Sequence, residues 1–100
     1  LPQTMRFNAE ASAARQALIA DAMGVKRPGM TDLDAALAAA DAMERLRESL
    51  GLPGRLRDVG VPEDGLELIA AATLHDRALA TNPTPVTDAG PIMTVLRRSW

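Results

Sequence analysis

The sequence has no cysteine and no tyrosine, and its only aromatic residues are Phe7 and Trp100. The lack of cysteine excludes disulfide bridges, thiolate metal sites and a cysteine nucleophile. Alanine and leucine supply most of the apolar side chains, and alanine buries little of the apolar area that contributes about 25 cal/mol per Å². We therefore expect a thin core, a stability at the low end of about 5–15 kcal/mol, and support from a neighbouring domain or subunit.

A charge excess of one sign and long apolar runs are also missing. The 100 residues carry 11 basic and 13 acidic side chains, for a net charge of −2, which argues against nucleic acid or an anionic membrane as a partner. No apolar run approaches the about 20 residues of a membrane span, and no signal segment opens the chain. We expect one cytoplasmic domain. The opening Leu1-Pro2-Gln3 has no initiator Met, which we interpret as processing or truncation.

Apolar residues recur with a period near 3.6 and hardly ever alternate. This pattern predicts an all-α domain of about four helices, with a proline-rich loop before the last helix. After a short apolar entry at Leu1–Phe7, the first helix is predicted from Ala9 to Met23, with Asn8 as its N-cap and Gly24 as its stop. The predicted core face of this helix is formed by Ala11, Ala14, Leu18 and Ala22.

The second predicted helix begins at a capping box of Thr31 and Asp34 and ends in a Schellman-type stop at Gly51. An ion pair is expected between Asp41 and Arg45, one turn apart on its polar side. Its predicted apolar stripe consists of Leu33, Leu37, Ala40, Met43, Leu46 and Leu50.

The second half of the chain has more proline and glycine, and its helices are predicted to be shorter. One turn is expected at Arg55–Asp58 before a third helix at Pro62–Leu74, where Pro62 fits the first helical position. The segment Asp76–Pro85 should be extended or turn-like, and Thr87 or Asp88 should cap a last helix that ends at Trp100. The side chains expected in the core are Leu56, Val59, Leu66, Ile69, Ala70, Thr73, Ile92, Val95 and Leu96.

Residues with chemical potential are few, and none forms a recognised catalytic or cofactor motif. His75 is the single histidine, and we interpret it as a helix-end residue stabilised by the helix dipole. The carboxylate pairs Glu63-Asp64 and Glu44 with Glu48, and the basic Lys26-Arg27, are interpreted as solvated charges. Asn82 stands on a loop stiffened by prolines, where sites are often built, although a role in forming the turn is equally consistent.

Several segments together resemble one family. They are Leu1–Asn8 (Leu-Pro-Gln-Thr-Met-Arg-Phe-Asn), Met23-Gly24-Val25, Gly51-Leu52-Pro53, Leu56–Val61 (Leu-Arg-Asp-Val-Gly-Val) and Ala80-Thr81-Asn82-Pro83. In order and spacing they resemble the C-terminal stretch of the iron-containing (group III) alcohol dehydrogenases, to which the maleylacetate reductases are close relatives. The resemblance covers essentially the whole chain.

The resemblance implies an all-helical segment of an NAD(P)-dependent oxidoreductase that interconverts alcohols with aldehydes or ketones, with iron or zinc polarising the oxygen. In that family an N-terminal dinucleotide-binding domain holds the cofactor, and one Asp and three His hold the metal. None of these residues matches a position in this chain, so no catalytic, cofactor-binding or metal-binding residue is carried over. The loop with Ala78, Thr81 and Asn82 is similar to the family's loop on the substrate side of the cleft.

Three hypotheses follow. The first is the C-terminal segment of such a dehydrogenase, inactive as an isolated chain, prone to self-association, and completed by the N-terminal dinucleotide-binding domain of its parent. The second is a stand-alone helical module that binds a partner protein through its Ala/Leu faces. The third is a helix-turn-helix DNA binder suggested by the stretch Gly51–Arg57, which the negative charge and the lack of base-reading residues disfavour.

Overall fold

The computed structural model describes all residues from 1 to 100 and contains no β-strand. The prediction of an all-α chain is confirmed. The helices are α1 (Pro2–Phe7), α2 (Ala13–Ala22), α3 (Asp32–Ser49), α4 (Gly65–Thr73) and α5 (Ala89–Ser99), with two 3₁₀ turns at Leu56–Val59 and Arg77–Thr81. They divide between two compact units, Leu1–Leu52 and Pro53–Trp100. None of the helices combines the length and the apolar character that crossing a bilayer requires.

The core of the first unit is a seam of alanines between α2 and α3. Met5 of α1 adds the one long buried side chain to it, because α1 also packs on α3. Alanine has no side chain beyond Cβ, so the two helices approach closely and the buried volume stays small. The fully or almost fully buried members of this seam are Ala17, Ala20, Ala35, Ala39 and Ala40.

The chain before α2 differs from the prediction. Leu1–Phe7 contains the helix α1, favoured by Pro2 in its first turn, and α2 begins only at Ala13. Asn8 was predicted as an N-cap but is the buried C-cap residue of α1. Its carbonyl oxygen accepts hydrogen bonds from the Ser12 backbone N–H at 3.0 Å and from Ser12 Oγ at 2.6 Å. Residues 8 to 12 therefore form a corner that turns the chain from α1 into α2.

The predicted core face of α2 was wrong. Ala11, Ala14 and Ala22 are exposed, and Leu18 is 68 % exposed. The buried residues of α2 are instead Gln16, Ala17 and Ala20. Close packing on α3 selects small side chains, and the amide of Gln16 is tolerated inside because the helix corner supplies it with hydrogen-bond partners.

The predicted ends of α3 are confirmed. Thr31 Oγ1 accepts from the backbone N–H of Asp34 at 3.0 Å, and Asp34 Oδ2 accepts from that of Thr31 at 3.2 Å. At the other end Gly51 has φ +66°. The backbone N–H of Leu52 donates to the Arg47 carbonyl at 3.2 Å, which is the hydrogen bond of a Schellman stop. The stop before Val25 is of the same kind, since Gly24 has φ +68°.

The apolar stripe predicted for α3 was wrong for its leucines. Leu33, Leu37, Leu46 and Leu50 are all exposed, whereas Ala40 is buried and Met43 half-buried. The buried face consists of Ala35, Ala36, Ala39, Ala40 and Ala42. The expected ion pair of Asp41 with Arg45 is replaced by a pair with Arg6 of α1, because α1 places a guanidinium against this face.

The core of the second unit lies between α4 and α5. Leu66, Ala70 and Ile92 are buried, and Ile69, Thr73, Val95 and Leu96 are half-buried, in agreement with the prediction. The helix α4 begins at Gly65 rather than at Pro62, because the Pro62 carbonyl accepts from the Gly65 backbone N–H at 3.1 Å in a preceding turn. Of the two predicted caps of α5, Thr87 and Asp88, the structure shows Asp88. Its Oδ1 accepts a hydrogen bond from the Gly90 backbone N–H at 2.8 Å.

The 3₁₀ turn at Leu56–Val59 is fixed to the end of α5. Leu56 is half-buried as predicted, but Val59 is exposed, which contradicts its prediction as a core residue. Trp100 donates from Nε1 to the Val61 carbonyl at 2.9 Å. The guanidinium of Arg57 lies 5.4 Å from the centre of the Trp100 ring, in a cation–π contact.

Candidate functional site

The segment from Asp76 to Pro85 is more ordered than predicted. It was expected to be extended or turn-like, and it contains the 3₁₀ turn Arg77–Thr81. Asp76 caps this turn, because its Oδ1 accepts from the Ala78 backbone N–H at 2.8 Å, and its carbonyl accepts from the Leu79 backbone N–H at 3.0 Å. An aspartate at this position satisfies the first donors of the turn, and the prolines that follow stop it.

The predicted substrate-side residues lie at the end of this turn. Thr81 donates from Oγ1 to the Ala78 carbonyl at 2.9 Å, so the structure brings these two exposed residues together. Asn82 is half-buried and donates from Nδ2 to the carbonyl of Thr84 at 2.6 Å. A hydroxyl and an amide held this way suit hydrogen bonding to a polar ligand, but neither group is a base of the kind that moves protons near neutral pH.

His75 follows Leu74, the C-cap residue of α4, and precedes this turn. Its side chain is exposed, and its backbone N–H donates to the Ala72 carbonyl at 3.1 Å, which fits the interpretation as a helix-end residue. Nowhere do three or more His, Cys, Asp or Glu side chains come together in a group that could hold a metal ion. A metal site needs several such ligands converging on one point. The residues of this chain therefore do not fit a metal centre.

The closest grouping of charged side chains lies in the first unit, between α1 and α3. Arg6 Nη2 contacts Asp41 Oδ1 at 2.7 Å and Glu44 Oε2 at 2.6 Å. The hydrogen bonds that Arg6 donates to these two carboxylates, above all the one to Asp41, raise the pKa of Arg6, so the guanidinium stays charged. We call this group the Arg6 clamp. It fixes α1 on α3, and its one positive and two negative charges face one another rather than a ligand.

The Arg6 clamp was missed in the sequence. The two acidic residues are three positions apart on one helix and therefore share a face, which signals a nearby cation. Arg6 is 35 and 38 positions away from them, and no local pattern indicates such a pairing. Two other predicted solvated charges form ion pairs on the surface. Glu48 Oε1 lies 3.1 Å from Arg47 Nη2, and Lys26 Nζ lies 3.9 Å from Asp32 Oδ1, as expected for solvated charges.

Gln16 is a second polar residue that was missed. Its Nε2 donates to the Met5 carbonyl at 2.9 Å and to Ser12 Oγ at 2.9 Å. Its Oε1 is buried and accepts no hydrogen bond. The amide thus ties the C-terminal turn of α1 to α2 through its donors, while its acceptor is unsatisfied. This arrangement fixes the corner between α1 and α2.

A groove of about 540 Å³ lies between α4 and α5 in the second unit. Its floor is apolar, from Leu66 and Met93. Its rim carries three carboxylates and one guanidinium, from Glu63, Asp64, Glu67 and Arg97. The predicted carboxylate pair Glu63-Asp64 is exposed there, as solvated charges are. No buried polar group converges on the groove, so it lacks the fixed polar contacts that define a specific ligand site.

Comparison with known families gives one match over the full length. The sequence model described as the Fe-containing alcohol dehydrogenase family, C-terminal, matches residues 1–100. The match therefore includes both compact units and the turn that carries Ala78, Thr81 and Asn82.

Matches to individual proteins agree with the family match. Lactaldehyde reductase of Escherichia coli (strain K12) is 39% identical over 87 residues, which are 87% of this chain and 23% of that protein. 1,3-Propanediol dehydrogenase of Klebsiella pneumoniae is 39% identical over 83 residues, or 83% of this chain and 21% of that protein. NAD-dependent methanol dehydrogenase of Bacillus methanolicus is 32% identical over 87 residues, again 87% and 23%. The chain spans less than a quarter of the length of these relatives.

Proposed function

Because the chain belongs to the iron-containing alcohol dehydrogenase family, we propose that it is the C-terminal helical segment of a metal- and NAD(P)-dependent alcohol dehydrogenase. The parent enzyme would interconvert an alcohol with its aldehyde or ketone. The isolated 100 residues would have no activity. The observation that carries the proposal is the family match from residue 1 to residue 100.

The names of the relatives support the reaction class. A lactaldehyde reductase, a propanediol dehydrogenase and a methanol dehydrogenase all act between an alcohol and a carbonyl compound, and the last is named as NAD-dependent. The family name supports iron as the metal. A bound metal ion would polarise the substrate oxygen and the nicotinamide would carry the hydride. Both would be held by the rest of the parent, since this chain's residues do not fit a metal.

This segment would shape and support the substrate side of the parent's cleft. Thr81 and Asn82 are held by hydrogen bonds to backbone carbonyls, so their polar groups are placed without further ordering. Such a preorganised wall orients a substrate at low entropic cost. We propose that the turn Arg77–Thr81 and Asn82 line the substrate side of the parent's cleft.

The exposed apolar side chains would supply the surface that meets the rest of the parent. Leu18 is 68 % exposed in the first unit and Leu68 is 75 % exposed in the second. Complete burial of an exposed leucine side chain contributes about 1.5–3 kcal/mol, so several such contacts would stabilise docking. We propose the N-terminal dinucleotide-binding domain of the parent as this partner. Without it, the same leucines would drive self-association of the isolated chain.

A segment-exchange experiment tests the proposal. The 87-residue matching segment of the E. coli lactaldehyde reductase is replaced by this chain, and the chimera is loaded with Fe²⁺ or Zn²⁺ and assayed for lactaldehyde reduction with NADH or NADPH. We expect metal-dependent turnover by the chimera. The same reductase truncated before the exchanged segment is the matched control and should be inactive, as should the isolated 100 residues.

Folding of the chimera is checked separately from its activity. Gel filtration and far-UV circular dichroism show whether it is assembled and helical, and metal analysis shows whether it holds its ion. A chimera that is assembled, helical and metal-loaded but inactive would contradict the proposed function. Alcohol oxidation by the isolated chain would contradict the proposed inactivity.

The same exposed leucines favour the alternative hypothesis of a stand-alone interaction module. A separate measurement distinguishes this module from the dehydrogenase segment. An antibody raised against this chain captures the native protein from its source, and the intact mass is measured. A mass about four times 10.6 kDa, the ratio set by the relatives' length, is expected for the dehydrogenase. A mass of 10.6 kDa would favour the module and would direct the search to its partner.

A further inference from the structure

We draw no further inference here: the strongest candidate, the exposed apolar face of α2 formed by Ala14, Leu18 and Ala22, is a stripe of mostly small side chains, and nothing in the structure shows which surface covers it.

Discussion

The alanine seam between α2 and α3 predicts that adding volume at Ala39 costs more stability than removing volume at Leu37. Ala39 has no exposed surface and contacts a cluster that includes Ala17 and Ala20. Ala39→Leu adds three carbons between α2 and α3. The facing residues Ala17 and Ala20 cannot make room, because alanine has no side-chain rotamers. Overpacking of this kind costs about 1–3 kcal/mol, and the alanines among the neighbours of Ala39, which cannot change rotamer, favour the upper end.

Leu37 lies two positions earlier on the same helix and is 41 % exposed. Leu37→Ala removes only part of the about 1.5–3 kcal/mol that full burial of a leucine contributes, so we expect a loss of about 1 kcal/mol. Ala14→Leu is the matched control, because it makes the same chemical change as Ala39→Leu at an exposed position of α2. Surface substitutions of this kind stay within about 0.5 kcal/mol.

Urea unfolding followed by far-UV circular dichroism measures the three variants. With a slope of about 1 kcal/mol per M for a small unit, Ala39→Leu should lower the midpoint by about 2 M more than Leu37→Ala does. The leucine pattern in the sequence gives the opposite order, because it places Leu37 in the core. A larger loss for Leu37→Ala, or an equal loss for Ala14→Leu and Ala39→Leu, would refute the alanine seam.

Three further predictions concern the Arg6 clamp, the buried amide and the substrate-side turn. Arg6→Gln should cost about 1 kcal/mol, because its carboxylate partners are half in solvent, and urea unfolding at low and at high salt should show the loss shrinking as salt rises. Since hydrogen bonding to the two carboxylates raises the pKa of Arg6, the stability that Arg6 adds is complete at neutral pH and is lost only in strong alkali. Gln16→Met should cost about 1 kcal/mol, because it leaves the Met5 carbonyl without this donor but also removes the unsatisfied Oε1. Gln16→Glu should cost at least about 2 kcal/mol, since a carboxylate then faces the Met5 carbonyl; equal losses in thermal or urea unfolding would contradict this account. In the active chimera, Thr81→Val should lower kcat/KM about tenfold, or roughly 1.4 kcal/mol, while Thr87→Val, also exposed, should leave it unchanged; equal effects of the two variants would argue against a substrate-side turn.

The ends of the helices could be predicted from the sequence because they depend on neighbouring residues. The capping box of Thr31 and Asp34, the stops at Gly24 and Gly51 and the cap at Asp88 all lie within four residues of the groups that they satisfy. Two helix starts were exceptions, that of α4, which begins at Gly65 rather than Pro62, and that at the N-terminal corner. There Asn8 has the side chain of an N-cap, but a helix already precedes it, so the same residue closes one helix instead of opening the next.

The buried faces of α2 and α3 could not be predicted from periodicity, because alanine occurs on every face of these two helices. Leucines stand out in such a sequence and are naturally assigned to the core. Close helix packing reverses this assignment, because only alanine fits between the axes, as at Ala20 and Ala39. Interactions across long stretches of chain were equally hidden, since Arg6 meets its partners 35 and 38 residues later.

The candidate site was reached through resemblance rather than through chemistry. Ala78, Thr81 and Asn82 carry no group whose type or spacing announces a reaction, and their hydrogen bonds serve the turn itself. If the proposed function holds, the reactive groups of the site would lie in the rest of the parent enzyme. A segment that supplies only shape leaves little trace in its own residue types, so its assignment depends on the match of the whole chain.

The distribution of apolar volume gives a physical reason for a parent enzyme. Eleven large apolar residues are exposed, whereas only Met5, Leu66 and Ile92 are buried among the large ones. A domain selected to stand alone would place its leucines where they remove the most surface from water. Here alanines hold α2 and α3 together and most of the leucines are exposed, so part of the available hydrophobic free energy is unused within the chain. That energy becomes available only when another surface covers the leucines, which is the condition that docking onto a dinucleotide-binding domain would fulfil.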